Sequence, residues 1–269
     1  MTELGHSIAA SLATASDGEL VSAFAVGLVV IVAVGESAVR RQQVSHAGRR
    51  LAVASMLGLV GLVVSAALGG LLGFLFLGWG RMAPPVLVDL WASHPVIGWV
   101  TGFVAFDGMG HVHHRIGHET GVGRAAHAPH HSDPVFQASL AFRQSWLPIH
   151  GLVVFPLVAL GGWSIGTIVG CAALSNLLQA LQHVSSAPSL PRWIRAVVIT
   201  PREHRIHHDR DESINLGPIF TVWDRWSGTY QRGESATDGQ HEVGPPVSVM
   251  AAQFGGWREF FERRPASLR

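Results

Sequence analysis

The sequence predicts an all-α fold: an integral membrane helical bundle capped by a histidine-rich helical domain. Three observations support this prediction. Only 14% of the 269 residues are charged, and the mean hydropathy is +0.30, whereas an average soluble domain has about 25% charged residues. Long stretches have no ionisable side chain. Sixteen histidines accompany a single cysteine, which excludes a disulfide framework and a cysteine-rich metal module.

Residues 20–106 are predicted to contain three membrane-spanning helices. The apolar runs cover residues 20–39, 51–80 and 85–106, and the second holds thirty residues without an ionisable side chain. A helix needs about 20 apolar residues to cross roughly 30 Å of hydrocarbon. The first run lacks a basic segment before it and an obvious cleavage site, so a removed signal peptide is disfavoured.

Four arginines between the first two runs indicate the orientation. Arg40, Arg41, Arg49 and Arg50 stand in one short loop, and short arginine-rich loops stay on the cytoplasmic side of a membrane. We therefore expect a multi-pass protein whose chain re-enters the cytoplasm near Asp107.

A membrane hairpin is predicted over residues 149–182. No Asp, Glu, Lys or Arg occurs between Gln144 and Pro191. A single crossing would separate the later histidines from the earlier ones, so we expect the chain to turn near Gly161-Gly162. Residues 107–148 and 183–230 then share the cytoplasmic side, and 231–269 form a C-terminal tail of the same single domain. An amphipathic helix from Gly255 to Arg264 is expected on the bilayer surface.

The spacing of the histidines indicates a metal centre. The pattern H-x-x-H-H occurs twice, at residues 127–131 and 204–208, and His114 and His118 lie four apart. Because helix positions i, i+3 and i+4 lie on one face, each triplet is predicted to direct three imidazoles at one point. A repeated pattern argues against a chance run. Eight clustered histidines, or nine with His183, exceed the needs of one metal and suggest two.

Ligand type alone leaves the metal open, because imidazole accepts zinc, copper, iron and nickel. The remaining histidines are expected to be incidental: His6, His46, His94, His150 and His241. No H-E-x-x-H, G-x-G-x-x-G or Walker A motif occurs, and Glu-x-x-His occurs once, at Glu3 to His6, whereas ferritin-type di-iron bundles use it twice. These patterns argue against metalloproteases, ferritin-type di-iron bundles and nucleotide enzymes. The net charge of +1 gives no sign of nucleic-acid binding.

From about Asp107 to Tyr230 the chain resembles the fatty-acid hydroxylase and sterol desaturase superfamily of integral-membrane di-iron oxygenases. The resemblance is carried by a D…H-R-x-x-H box, an H-x-x-H-H-S box, an isolated ligand histidine, a T-P-x-x-H-R-x-H-H box and a W-D-R…G-T ending. In this sequence they are Asp107 to His118, His127 to Ser132, Gln182-His183 before Leu190 to Trp193, Thr200 to His208, and Asn215 to Gly217 followed by Trp223 to Thr229.

The resemblance implies two iron ions and their ligands. The ligands would be His114, His118, His127, His130, His131, His183, His204, His207 and His208. Residues expected to support them are Asp107, His111, Asp133, Asn215 and Asp224. The three carboxylates are candidates to accept N–H bonds from ligand histidines.

The resemblance also implies O2-dependent hydroxylation of an unactivated C–H bond of a membrane lipid. Electrons would come from NAD(P)H through a separate ferredoxin-like or cytochrome b5-like protein. Acyl chains, sterol-like or carotenoid-like polyisoprenoids and alkylglycerol ethers are all candidate substrates. Desaturation with the same centre is the alternative reaction. A metal transporter or sensor is the alternative of another class, but transport predicts ionisable residues inside the spans, and residues 51–80 have none.

Overall fold

The structure is a computed structural model that describes residues 27–41, 44–80, 82–147, 160–185, 190–209, 213–232 and 245–262. Its helices are α1 Gly27–Val39, α2 Ala47–Gly80, α3 Pro85–Ser93, α4 Pro95–Glu119, α5 Gly121–His131, α6 Ile165–Gln182, α7 Arg192–Arg195, α8 Pro201–Asp209, α9 Val222–Ser227 and α10 Val249–Glu262, with a 3₁₀ helix at Ala138–Phe142. Across these ranges the only β pairing is an isolated antiparallel bridge between Val198 and Phe220. The all-α prediction is confirmed.

Two of the described helices are long and apolar enough to cross a bilayer. They contain the segments Ala47–Val64 in α2 and Ile165–Gln182 in α6. With 34 residues, α2 is about 51 Å long at 1.5 Å per residue, which exceeds one crossing of about 30 Å. The helix over the second predicted run is confirmed. The first run is helical over Gly27–Val39, and residues 20–26 lie outside the described residues.

The third predicted run is not one continuous helix. It is divided at His94 into α3 and α4, and His94 has φ −130° and ψ 67°. Pro95 has no N–H to continue the helix of α3, and its ring disfavours the helical conformation at the preceding residue. The prediction of one continuous helix over residues 85–106 is therefore wrong, and the crossing of the membrane by this region stays a prediction. Instead α4 runs for 25 residues and continues through Asp107. His114 and His118 therefore lie on the same continuous helix as its apolar first half.

The chain turns where the glycine pair predicted it. Gly162 adopts φ +72°, a left-handed conformation that glycine reaches without steric cost. Ser164 then caps α6 by accepting the backbone N–H of Thr167 at 3.0 Å. Trp91 of α3 donates to the Gly161 carbonyl at 2.8 Å, which ties the turn to α3. The incoming arm, residues 149–159, lies outside the described residues, so the complete hairpin stays a prediction.

Helix α10 lies against both α5 and the beginning of α2. Its Ala252 is buried with Val53 and Leu57 of α2, and the Trp146 and Phe254 rings pack edge to face at 5.8 Å. The helix begins at Val249, six residues before the predicted Gly255, and Val249 and Ala252 of its first turn pack on α2. Aromatic positions alone did not reveal that contact.

A buried ion cluster joins α2 to the end of α5. Arg50 and Arg143 both donate to Asp133, the latter at 2.7 Å, and all three side chains are fully buried. Arg40 also donates to the Phe136 carbonyl at 3.1 Å. Two of the arginines taken as loop markers therefore hold the segment that follows the second histidine box.

Arg50→Met is expected to destabilise the protein because it leaves the buried Asp133 carboxylate with only one of its two arginine partners. Breaking a buried ion cluster costs about 3 kcal/mol, roughly 6–12 °C in melting temperature for a chain of this size. The neighbouring Arg49→Met is the matched control, since Arg49 is exposed. Thermal melts of detergent-purified variants would measure both, and equal melting temperatures would contradict the role of the cluster.

Candidate metal centre

All nine predicted ligand histidines converge where α4, α5, α6 and α8 meet, and they form two groups. Group one contains His114, His118, His127, His131 and His207; group two contains His130, His183, His204 and His208. Within each group the candidate ligand atoms lie within 4.8 Å of one another. Two nitrogens bound to one ion at about 2.1 Å can lie at most about 4.2 Å apart. The spread of 4.8 Å exceeds this limit by about 0.6 Å, so each group is close to the size of one metal site and would contract slightly around an ion.

The structure corrects the prediction that each triplet serves one point. His127 and His131 belong to group one and His130 to group two, whereas His204 and His208 belong to group two and His207 to group one. At 100° per residue, position i+4 lies 40° from position i, but i+3 lies 60° away on the other side. Consequently α5 and α8 each supply both groups, and the two groups adjoin, with the His131 and His208 rings stacked at 4.3 Å.

Backbone carbonyls orient two ligands of group one. The Nδ1 of His114 lies 2.9 Å from the Leu216 carbonyl, and the Nδ1 of His207 lies 3.0 Å from that of Ile214. A ring that donates through Nδ1 keeps its lone pair on Nε2. The buried Nε2 atoms of His114, His127 and His207 have no hydrogen-bond partner among the described residues. A bound cation would satisfy them.

The two orienting carbonyls flank a single residue, Asn215. This asparagine adopts φ +53°, and its side chain donates to the Glu203 carbonyl at 3.0 Å and the Gln231 carbonyl at 2.9 Å. Asp224 holds the same loop by accepting the backbone N–H groups of Leu216 and Gly217, both at 2.7 Å. Asn215 and Asp224 therefore support the ligands through the loop rather than by touching an imidazole.

The other predicted supporting residues also have different partners from those expected. Asp107 accepts the Trp223 indole N–H at 2.7 Å and the Phe220 backbone N–H at 3.1 Å, and burial raises its pKa to about 6. Asp133 binds the two buried arginines. His111 is buried 4.0 Å from Asp224 and belongs to neither group. The idea that these carboxylates accept ligand N–H bonds is thus corrected, because backbone carbonyls take that role.

Group two brings imidazole nitrogens directly against each other. The Nε2 of His183 lies 3.2 Å from that of His130 and 2.9 Å from that of His204, and the His204 and His208 Nε2 atoms are 3.2 Å apart. The Nδ1 of His183 faces the Gln179 carbonyl at 2.8 Å, so its Nε2 carries a lone pair. One shared proton satisfies one of these contacts, whereas a central metal ion satisfies all of them.

Burial keeps eight of the nine imidazoles neutral. Burial, together with neighbouring histidines, lowers the pKa far below its usual range for seven rings: His114, His127, His130, His131, His204, His207 and His208. Burial also lowers the pKa of His183 to about 4. Neutral imidazole is the form that binds a metal, and neither group includes a carboxylate within the described residues.

The remaining histidines lie apart from both groups or outside the described residues. His46 and His94 are exposed, and His113 joins neither group. His6, His150 and His241 are not among the described residues. Sequence reasoning missed the Arg50–Asp133–Arg143 cluster and Glu36, whose carboxylate accepts the backbone N–H groups of Ala138 at 2.5 Å and Ser185 at 2.8 Å. A charged residue within or next to an apolar stretch of sequence was the signal that could have indicated these buried contacts.

Comparisons with known proteins point to the same region of the chain. Residues 99–229 match the family model described as fatty acid hydroxylase. The chain is 26% identical over 136 residues to the alkylglycerol monooxygenase of Caenorhabditis elegans, 28% over 138 residues to that of Homo sapiens and 29% over 137 residues to that of Danio rerio. These alignments cover 49% of this chain and 27–30% of the relatives, so the chain spans under a third of their length. No solved structure matches significantly.

The metal-free protein is expected to lose stability as the pH falls from about 6.5 towards 4. In this range the unfolded chain protonates its histidines at their ordinary pKa, while the folded chain with its lowered pKa values does not. Unfolding therefore takes up protons, and stability declines by about 1.4 kcal/mol per pH unit for each proton taken up.

Thermal melts of chelator-treated protein between pH 8 and pH 5 would measure this dependence. Because several rings titrate, the slope should exceed that of one proton, and the His183→Gln variant should show a shallower slope than the unmodified chain. A melting temperature that does not change between pH 7 and pH 5 would contradict the neutral, buried state of the centre.

Proposed function

We propose that this protein, whose residues 99–229 belong to the fatty acid hydroxylase family, is a membrane-bound lipid hydroxylase with two iron ions in its paired histidine groups. The observation that carries the proposal is the division of nine buried or half-buried histidines into adjoining sets of five and four. Structural zinc takes four ligands and catalytic zinc three. Two adjacent all-imidazole groups therefore suit two iron ions better than one zinc.

When bound, the two iron ions would supply the redox chemistry that uses O2 and external electrons to oxidise a C–H bond. The residues of the chain provide the geometry for it. The Leu216 and Ile214 carbonyls keep the Nε2 atoms of His114 and His207 directed into group one. Phe136 stacks on His183 at 5.8 Å, and the Arg205 guanidinium lies over the same Phe136 ring at 5.5 Å from its centroid. The ring thereby covers one side of His183 in group two.

The substrate is proposed to be a lipid with an ether-linked alkyl chain and a glycerol head. The alkylglycerol monooxygenase relatives favour this choice over acyl, sterol-like and polyisoprenoid substrates. Their names also favour hydroxylation over desaturation. We further propose that a separate ferredoxin-like or cytochrome b5-like protein delivers the electrons.

The histidine face is proposed to lie on the cytoplasmic side. The exposed Arg41 and Arg49 lie near the N-terminal end of α2. At this end Arg50 contacts Asp133 in the segment after α5, so the exposed arginines lie on the same side as the histidine groups. Exposed arginines in short loops favour the cytoplasmic side of a membrane. An epitope at the exposed Ser45 that is labelled in intact cells would overturn this orientation.

Metal analysis of purified double variants tests the two-iron centre. The unmodified chain should hold about two irons, and removing two ligands of one group should leave about one, because each group has the size of a single site. His127→Ala with His131→Ala removes two ligands of group one, and His204→Ala with His208→Ala removes two of group two. His46→Ala with His94→Ala is the control and should keep both irons. One zinc, or no stoichiometric metal, in the unmodified chain would contradict the proposal.

Product analysis tests the reaction. Purified protein that contains iron, supplied with O2, a reductant and an alkylglycerol ether, should yield a product with one added oxygen atom. The His207→Ala variant should yield none, because it removes a ligand of group one. A product that has instead lost two hydrogen atoms would establish desaturation. An unchanged lipid in the presence of fully iron-loaded protein would overturn this substrate.

A further inference from the structure

A cavity leads from the protein surface to group one and not to group two. It has a volume of about 320 Å³ and lies between α5 and α10. His118, His127 and His131 form its inner wall, and no histidine of group two lines it. The exposed residues Arg124 and Glu259 stand at its rim. The two groups thus differ in access, although their ligands are of the same type.

The outer wall of the cavity is α10, a helix outside the family-matched region 99–229. Close packing holds it there. A Cβ atom on Gly256 would lie 2.6 Å from the Ala128 Cβ atom, and one on Gly121 would lie 2.9 Å from the Phe260 ring. Only glycine permits these approaches. The wall therefore depends on features of this chain that the family match does not include.

The same helix presents an apolar surface beside the N-terminal part of α2. Met250, Phe254 and Phe261 are 60%, 47% and 77% exposed, while the opposite side of α10 packs on Val53 and Leu57 near the beginning of the thirty-residue apolar stretch. A helix with one face buried in protein and large apolar side chains on the other is typical of a bilayer surface. Phe260 of the cavity wall contacts Phe261 of this apolar surface, with the ring centroids 5.3 Å apart, so the cavity lies next to a surface that suits lipid.

We propose that this cavity is the port through which a single-chain lipid with an uncharged hydroxyl head reaches group one, so that the reacting carbon meets the five-histidine site. The inference rests on the proposed function and specifies its substrate path. A volume of 320 Å³ is at the lower end of ligand pockets and accommodates a small head with the adjoining carbons. Arg124 donates and Glu259 accepts hydrogen bonds, a pair that matches hydroxyl groups without net charge, and the chain extends along α10.

A cavity-filling variant tests the port. Ala128→Phe places a ring in the cavity, and Val197→Phe adds the same ring at an exposed position away from it. The readout is the rise in melting temperature with increasing hexadecylglycerol ether, since a ligand that binds the folded state stabilises it. Unmodified protein and Val197→Phe should be stabilised equally. Ala128→Phe should require at least about tenfold more lipid at unchanged iron content.

A milder pair of variants covers the possibility that the larger ring disturbs folding. Glu259→Leu removes the acceptor at the rim, and Glu262→Leu is the control on the same helix, since Glu262 does not line the cavity. Loss of a hydrogen bond to a charged group should raise the half-saturating lipid concentration about tenfold in Glu259→Leu, and the control should keep the original value.

The outcomes separate the port from the proposed function. If Ala128→Phe and Glu259→Leu both keep the original lipid response, the port is overturned, and the iron content still decides whether the metal centre stands. If the unmodified chain holds two irons but no lipid stabilises it, the port is likewise overturned while the two-iron centre stands. If lipid stabilisation is lost only in the two cavity variants, the port is supported even for a protein without iron.

Discussion

The structure depends on one electrostatic constraint: nine imidazoles must face each other as neutral lone-pair donors. Ligand atoms within 4.8 Å of one another cannot all be protonated, because the rings would repel each other. Burial solves this by lowering the pKa of eight of the rings, that of His183 to about 4. It also removes the water that would otherwise satisfy their nitrogens. In a metal-free centre of this kind the lone pairs of the imidazole nitrogens have no partner, and a bound cation would accept them. Metal binding and folding of this region should therefore be coupled.

Contacts distant in sequence hold the histidines against that repulsion. Glu36 of α1 reaches both the 3₁₀ helix and Ser185, two residues after His183. Arg50 of α2 reaches Asp133, two residues after His131. The loop around Asn215 provides carbonyls for His114 and His207. Each ligand-bearing segment is thus anchored by a charged or amide side chain from another part of the chain. The first helices of the chain support the metal centre as well as providing candidate membrane anchors.

The continuity of α4 links the apolar region to the chemistry. Its first half begins after His94, and its last turns carry His114 and His118. Close contacts bring the loop after α8 onto this helix, since a Cβ on Gly110 would lie 2.6 Å from Pro218 and Asp107 accepts the Trp223 indole N–H. A lipid lying along the apolar surface is therefore never far from the histidines. This proximity is what oxidation of a membrane lipid requires.

The helical class, the turn at Gly161-Gly162 and eight of the nine histidines in the two groups could be predicted from the residues alone, because hydrophobic run length, glycine pairs and helical spacing are local properties. The ninth, His183, was expected from the family resemblance. The sequence also predicted a division into two sites from the number of histidines. The assignment of each ring to a group required the tertiary structure. The 100° step of a helix directs positions i+3 and i+4 to different sides of position i, and the packing of the neighbouring helices determines which side belongs to which group. The break at His94, the partners of Asp107 and Asp133, and the position of α10 over group one were likewise decided by the tertiary structure. Each of these features depends on which distant segment packs against the residue. Residue spacing along the chain does not predict that packing.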